Sequence, residues 1–148
     1  MMGLAACGEE EKASSAAPAV TTPAATTTSA AAPAGASEKE ICTAAEKASL
    51  AYGEGLIALA AKATNGGADL PLAESKGVLK SLAASLTEAA GSGDTATAKA
   101  VTALAAAAGS AAKDKADPIG EYDNNAKATA ARTAVNKACE ALGVDTAL

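Results

Sequence analysis

Apolar residues recur every three or four positions in four stretches of the chain, which is the spacing of one face of an α-helix. The first stretch follows Ser37-Glu38-Lys39-Glu40, a sequence typical of a capping box with Ser37 as the N-cap. Its apolar face comprises Ile41, Ala44, Ala45, Ala48, Tyr52, Leu56, Leu59 and Ala63. The pattern predicts a helix that runs to about Thr64, because Asn65-Gly66-Gly67 is a strong stop signal.

Two further helices are predicted before residue 118. Pro71 suits the first turn of the second helix, and Gly91-Ser92-Gly93 ends it. Asp94 is the predicted N-cap of the third helix, which Asp117-Pro118 breaks. The apolar faces are Leu72, Leu79, Leu82, Leu86 and Ala89 in the second helix, and Ala98, Val101, Leu104, Ala108 and Ala111 in the third.

The fourth predicted helix has a clear end at Gly143 and two alternative starts, at Pro118 or at Asp123. Its apolar face comprises Ala128, Ala131, Val135, Ala138 and Leu142. Ile119 does not share a face with Val135 in one straight helix. We therefore expect a kink or a short separate turn between residues 120 and 125.

Four helices with short links predict an all-α fold, an up-down-up-down four-helix bundle over residues 37–148. Composition agrees, since close to a third of the 148 residues are alanine, the best helix former and a poor strand former. The chain has two Tyr and no Phe or Trp, so core volume must come from scattered Leu, Ile and Val. We expect such a core to be marginally stable without a cross-link.

A disulfide between Cys42 and Cys139 is the predicted cross-link. An up-down-up-down bundle places the start of the first helix and the end of the fourth at the same end. Cys42 lies about one turn after that start and Cys139 about one turn before that end. Because disulfides persist in oxidising compartments, the pairing indicates export. The alternative is two buried free thiols in a cytoplasmic bundle.

The first residues suggest how the chain is held outside the cell. Leu4-Ala5-Ala6-Cys7, followed by Gly8, resembles the lipobox of bacterial lipoproteins, and the Ala/Thr/Pro/Ser-rich residues 8–36 are similar to the spacers of actinobacterial surface lipoproteins. The resemblance implies that residues 1–7 are the remnant of a signal peptide. It also implies that Cys7 is diacylated on sulfur, as with palmitate, and anchors the chain to the outer face of the cell membrane.

Residues 8–36 have no apolar periodicity, so we expect a disordered tether. A signal peptide needs a charged region and 7–15 apolar residues, whereas only six residues precede Cys7. We therefore expect the true start to lie upstream of Met1. The alternative is a cytoplasmic protein with a disordered tail and an ordinary Cys7.

Residues that carry catalysis are scarce. The chain has no His, which excludes Ser–His and Cys–His nucleophile systems. The densest acidic patch is Asp114, Asp117, Glu121 and Asp123, but its spacing does not match a calcium-binding loop and suits turns and caps. The net charge of −5 is mixed along the chain without a basic block, so nucleic acid is not an expected partner. We expect no enzyme, metal or cofactor; an enzyme using carboxylates alone is the remote alternative.

Gly53 and Gly55 lie inside the first helix beside Tyr52, where each glycine costs about 0.5–1 kcal/mol relative to Ala. Close approach of a neighbouring helix, or a kink, is the favoured explanation. A small apolar ligand cavity with the Tyr52 hydroxyl as its polar group is the alternative.

The expected function is that of a non-enzymatic, lipid-anchored envelope protein that presents a helical interaction module to an unknown envelope partner. The alternative is a carrier of a small apolar ligand between the helices.

Overall fold

The computed structural model of the protein describes residues 36–66, 70–146 and 148. Within these residues the chain is all-helical without a strand, so the prediction of an all-α protein is confirmed. The helices are α1 (Glu38–Gly66), α2 (Leu72–Ala90), α3 (Ala96–Ala111), α4 (Pro118–Asn124) and α5 (Ala126–Glu140). The predicted lipidation site Cys7, the predicted signal-peptide remnant and the predicted tether as far as residue 35 lie outside the described residues.

The start of α1 and the end of α2 follow the capping signals in the sequence. Ser37 Oγ accepts a hydrogen bond from the Glu40 amide at 3.3 Å, and Glu40 Oε2 accepts one from the Ser37 amide at 2.7 Å, as in a capping box. These hydrogen bonds hold the pKa of Glu40 below its ordinary value. α1 continues to Gly66, two residues beyond the predicted end. Gly91, with φ of 55°, closes α2 in a backbone conformation that favours glycine.

The N-cap of α3 is Thr95, so the prediction of Asp94 was wrong by one residue. Thr95 Oγ1 accepts from the Ala98 amide at 3.1 Å. Asp and Thr both make good N-caps, and the residue directly before the first helical turn takes the role.

The predicted fourth helix is divided in two, and the separate turn expected between residues 120 and 125 is helix α4. Asp117 caps α4 by accepting from the Gly120 amide at 2.9 Å. Asn125 ends α4 and caps α5, with its Oδ1 accepting from the Lys127 amide at 2.9 Å and from the Ala128 amide at 3.3 Å. The chain therefore starts a helix at Pro118, interrupts it with extended backbone at Asn125 and starts a second one at Ala126.

α2 packs between α1 and α3, and α5 packs on the other flank of α3. The short α4 inserts Ile119 and Tyr122 into the same core. The largest fully buried side chains include Leu79, Leu86, Val101, Leu104 and Val135, all of which lie on the predicted apolar faces. Leu72 is an exception, because it is 39% exposed. It shares the face of buried Ser75 but lies one turn nearer the start of α2, where it stays in contact with solvent.

None of the helices, over the described residues, has the length and apolarity needed to cross a bilayer.

Candidate functional site

Cys42 and Cys139 join the start of α1 to the end of α5. Their Sγ atoms are 2.04 Å apart in a disulfide, and their Cα atoms are 5.5 Å apart. Neither residue has any exposed surface. The chain's remaining cysteine is Cys7, so this arrangement leaves no thiol in the described residues for nucleophilic or redox chemistry.

The chain's two aromatic residues and its one arginine come together. Tyr52 from α1 and Tyr122 from α4 have ring centroids 5.6 Å apart and planes 74° apart, an edge-to-face contact. Arg132 from α5 lies over the Tyr122 ring, with Cζ 4.7 Å from its centroid. Arg132 Nη2 donates to the Tyr122 carbonyl oxygen at 3.0 Å and lies 3.8 Å from Asp123 Oδ1. We call Tyr52, Tyr122 and Arg132 the tyrosine–arginine cluster.

Two polar atoms of this cluster are buried and have no hydrogen-bond partner among the described residues, namely the Tyr52 hydroxyl and Arg132 Nε. Burial raises the pKa of the Tyr52 phenol far above its ordinary value, and the Asp123 carboxylate adds to the shift. Burial also raises the pKa of Tyr122, against the opposing charge of Arg132. Both phenols therefore stay protonated at neutral pH and offer no general base.

The structure brings Tyr52 and Gly55, but not Gly53, to a small cavity between α1 and α2. Its volume is about 150 Å³, below the roughly 300–1,000 Å³ of ordinary ligand sites. A Cβ added at Gly55 would lie 3.0 Å from Val78 Cγ1, whereas one added at Gly53 would meet nothing within 4 Å. Gly55 thus allows a side chain of α2 to approach the α1 backbone closely.

Carboxylates of the acidic patch accept hydrogen bonds that stabilise the turns before and after α4. Asp114 Oδ1 accepts from the Ala116 and Asp117 amides, each at 2.8 Å, and these bonds lower the pKa of Asp114. Asp117 caps α4, and Glu121 Oε1 accepts from Asn125 Nδ2 at 2.9 Å. Over the part of the chain that the structure describes, no three His, Cys, Asp or Glu side chains are grouped to hold a metal ion.

An open groove of about 880 Å³ runs along the surface between α3 and α5, and we call it the alanine groove. Its lining residues are Ala100, Ala103, Ala106, Ala107 and Ser110 from α3, and Asn125, Ala126, Lys127, Ala130, Ala131 and Ala134 from α5 and its cap. Lys127 is the one charged residue in the lining. The groove was not predicted from the sequence, because a run of alanines predicts a helix without saying which outer faces lie side by side.

Comparison of the chain with protein-family models, with curated proteins and with solved structures finds no match in any of the three. Roles for the tyrosine–arginine cluster and for the alanine groove therefore rest on their own chemistry. The cluster is closed and compact, whereas the groove is open, apolar and large enough to receive another molecule. The groove is the better candidate for a binding surface.

Proposed function

We propose that the chain is a non-enzymatic, lipid-anchored protein of the bacterial cell envelope that presents a helical interaction module to a partner. The proposed anchor is a lipid on Cys7, within the lipobox-like Leu4-Ala5-Ala6-Cys7, and residues 8–36 form the proposed tether. Export also suits the disulfide of Cys42 and Cys139, since such bonds persist in oxidising compartments.

The finer arrangement that we propose is an up-down-up-down bundle of α1, α2, α3 and α5, with α4 as a short helix inserted before the last one. The order of neighbours supports it, because α1 packs on α2, α2 on α3, and α3 on α5. The disulfide supports it as well, since it joins the first turns of α1 to the last turn of α5. In this arrangement the tether enters the module at its disulfide end.

The alanine groove is the observation that carries the proposed interaction. Side chains of small residues let a partner approach the backbones of two helices, and an apolar groove between helices is a recurring site for a docked helix. Ala103, Ala106, Ala130 and Ala134 all lie at exposed positions of its lining. The surface therefore offers shape and apolar contact to a partner.

A photo-crosslinking amino acid at Ala103 tests the docking function in intact source cells. We expect a covalent adduct with a protein from Ala103, in the groove, and none from the exposed Ala84 on α2. The two positions are matched because both are exposed alanines within helices. Identical adducts from both positions, or none from Ala103, would contradict the proposal.

Replacing Cys7 with Ser tests the anchor separately. We expect the natural chain to incorporate labelled palmitate and to sediment with membranes in its source cells. The Cys7→Ser chain should lose the label and leave the membrane fraction, because the anchoring free energy comes from the buried acyl chains. A Cys7→Ser chain that still sediments with membranes would contradict lipid anchoring at this residue.

A carrier of a small apolar ligand is the second candidate, and the size of the alanine groove favours it. The groove volume falls within the range of ligand sites, unlike that of the cavity beside Tyr52. Native mass spectrometry of the protein, purified without organic solvent, should then reveal a bound mass. Ala103→Trp, which fills the groove, should remove that mass, and a chain without any bound mass would contradict the carrier.

A further inference from the structure

α1 has a second apolar face that is left uncovered by the other helices of the described residues. Leu50 and Ile57 are 64% and 72% exposed, although large aliphatic side chains are usually buried. They lie seven residues apart and therefore on one side of the helix, with Glu54 between them. Ala58 and Ala61 are exposed on the same side. We call this set, centred on Glu54, the outer face of α1.

The outer face of α1 and the alanine groove match in shape. Leu50 and Ile57 project from the helix two turns apart, which is roughly 10 Å. The groove extends from Ala100 to Ser110 along α3, roughly 15 Å, and its alanine side chains leave room for two larger ones. The two surfaces lie on different helices, so a single molecule presents both at once.

The charges of the two surfaces are also complementary. α3 contains no acidic residue, and the one acidic residue of α5, Glu140, lies at its last position. Lys127 lines the groove, while Lys99 and Lys137 lie at helical spacing from its lining residues Ala103 and Ala130. The outer face of α1 has the exposed carboxylate of Glu54 at its centre, between Leu50 and Ile57, and the exposed Lys47 lies one turn before Leu50 at its edge. The complementary charges are therefore those of Glu54 and the groove lysines.

We propose that the outer face of α1 in one molecule docks into the alanine groove of a second copy of the chain. Leu50 and Ile57 then cover the alanines, and Glu54 lies near Lys127. This inference rests on the proposed function, in which the groove is a docking surface, and names the partner. Because the two surfaces differ, the contact is heterologous and builds open chains or a closed ring. Lipid anchors would hold the copies on one surface and so raise their effective concentration.

Analytical ultracentrifugation of the full chain tests self-association, with Cys7→Ser in every sample so that no intermolecular disulfide forms. Between roughly 10 µM and 1 mM we expect the average mass to rise with concentration and to pass that of a dimer. Ile57→Arg on the outer face of α1, or Ala103→Arg in the groove, should leave monomers. The matched exposed substitutions Ala73→Arg and Ala84→Arg, both on α2, should change nothing. Circular dichroism should show equal helicity in all five proteins.

Mixing the two blocked variants tests the geometry of the contact. The Ile57→Arg chain keeps its groove and the Ala103→Arg chain keeps its outer face, so their mixture should form a dimer and no larger species.

A charge exchange tests the pairing of Glu54 with Lys127. Glu54→Lys and Lys127→Glu should each weaken association roughly two- to five-fold. The double variant should restore it.

Three results would overturn the inference. They are a chain that stays monomeric at 1 mM, an Ala103→Arg chain that associates normally, and a mixture of blocked variants that does not dimerise. A monomeric chain whose groove-placed crosslinker captures a different protein would overturn only the second-copy inference and leave the docking function standing. Absence of any groove-specific adduct would contradict the proposed function itself.

Discussion

Gly53 and Gly55 are separated by one residue in α1, but their surroundings differ. An added methyl group meets nothing at Gly53 and would press on Val78 at Gly55. Gly53→Ala should therefore raise the free energy of unfolding by about 0.5–1 kcal/mol, the helix-propensity gain. Gly55→Ala should lower it by about 1 kcal/mol, because crowding in a packed interface outweighs that gain. Urea unfolding of the oxidised chains measures both, and equal effects would contradict the close contact with Val78.

Tyr52 and Tyr122 should destabilise the fold as the solution becomes alkaline. Burial raises the pKa of both phenols in the folded chain, whereas in the unfolded chain their pKa stays near the ordinary value of about 10. At a pH between these values, the unfolded chain therefore binds fewer protons than the folded chain. The free energy of unfolding is then unaffected by these groups below about pH 9 and falls as the pH rises above about 10.

Absorbance at 295 nm measures tyrosine ionisation directly, because the chain has two Tyr and no Trp. We expect both phenols to titrate above their ordinary pKa. Tyr52→Phe should reduce the alkaline loss of stability, and it should leave neutral-pH stability unchanged or slightly higher, since the buried hydroxyl lacks a partner. A Tyr52 phenol that titrates near pH 10 would contradict its burial.

The tyrosine–arginine cluster shows what residue patterns leave undetermined. The periodicity of α1 correctly assigns Tyr52 to the apolar face, and the same reasoning cannot say which side chain it meets. Its contact with Tyr122 depends on the direction of α4, which is fixed by the caps Asp117 and Asn125 and by packing against α2 and α3.

The start of α3 provides a test at the scale of helices, because two adjacent residues, Asp94 and Thr95, are both suitable N-caps. Thr95 makes the capping hydrogen bond to the Ala98 amide, and Asp94 is exposed. Thr95→Ala should lower the free energy of unfolding by about 1 kcal/mol, whereas Asp94→Ala should change it by less than about 0.5 kcal/mol. Urea unfolding of the two variants compares them, and a larger loss for Asp94→Ala would restore the prediction made from the sequence.

Local signals predict most elements because helix propensity, caps and glycine stops act over a few residues. Ser37 with Glu40 and Gly91 predicted two boundaries correctly, whereas Pro71 is the N-cap directly before α2 and not part of its first turn. The mismatch between Ile119 and Val135 indicated the break that separates α4 from α5. Asp94 and Leu72 show where such signals fail. Which of two adjacent residues caps a helix depends on where the first helical turn begins. Whether a side chain near a helix end is buried depends on whether a neighbouring helix extends far enough to cover it.

At the scale of the whole molecule, no pattern in the sequence indicates the alanine groove. Alanine is compatible with buried and exposed positions alike, so a helix such as α3 shows little difference between its two sides. Leu50 and Ile57 were likewise absent from the predicted apolar face of α1, since their spacing places them on the opposite side. The sequence does not say whether that opposite side is covered, because this depends on the relative positions of α1, α3 and α5.

The disulfide of Cys42 and Cys139 should contribute a large share of the stability of the whole chain. It closes a loop across 97 residues, and in the chain-entropy model a loop of about this length stabilises by up to about 4.7 kcal/mol, with usual values of about 2–4 kcal/mol. The core has few large side chains, and total stabilities of domains are only about 5–15 kcal/mol. Reduction should therefore lower the midpoint of urea unfolding markedly.

Thiol titration and unfolding of the Cys7→Ser chain measure this contribution. We expect no free thiol in the unfolded chain before reduction and two afterwards. The double variant Cys42→Ala and Cys139→Ala should unfold near the midpoint of the reduced chain and should not respond to reductant, which separates loss of the bond from any other effect of the reagent. Two free thiols before reduction would contradict both the bond and its support for export. An oxidised chain whose midpoint is unchanged by reduction would instead show that packing of α1 against α2 and α3 holds the module together without it.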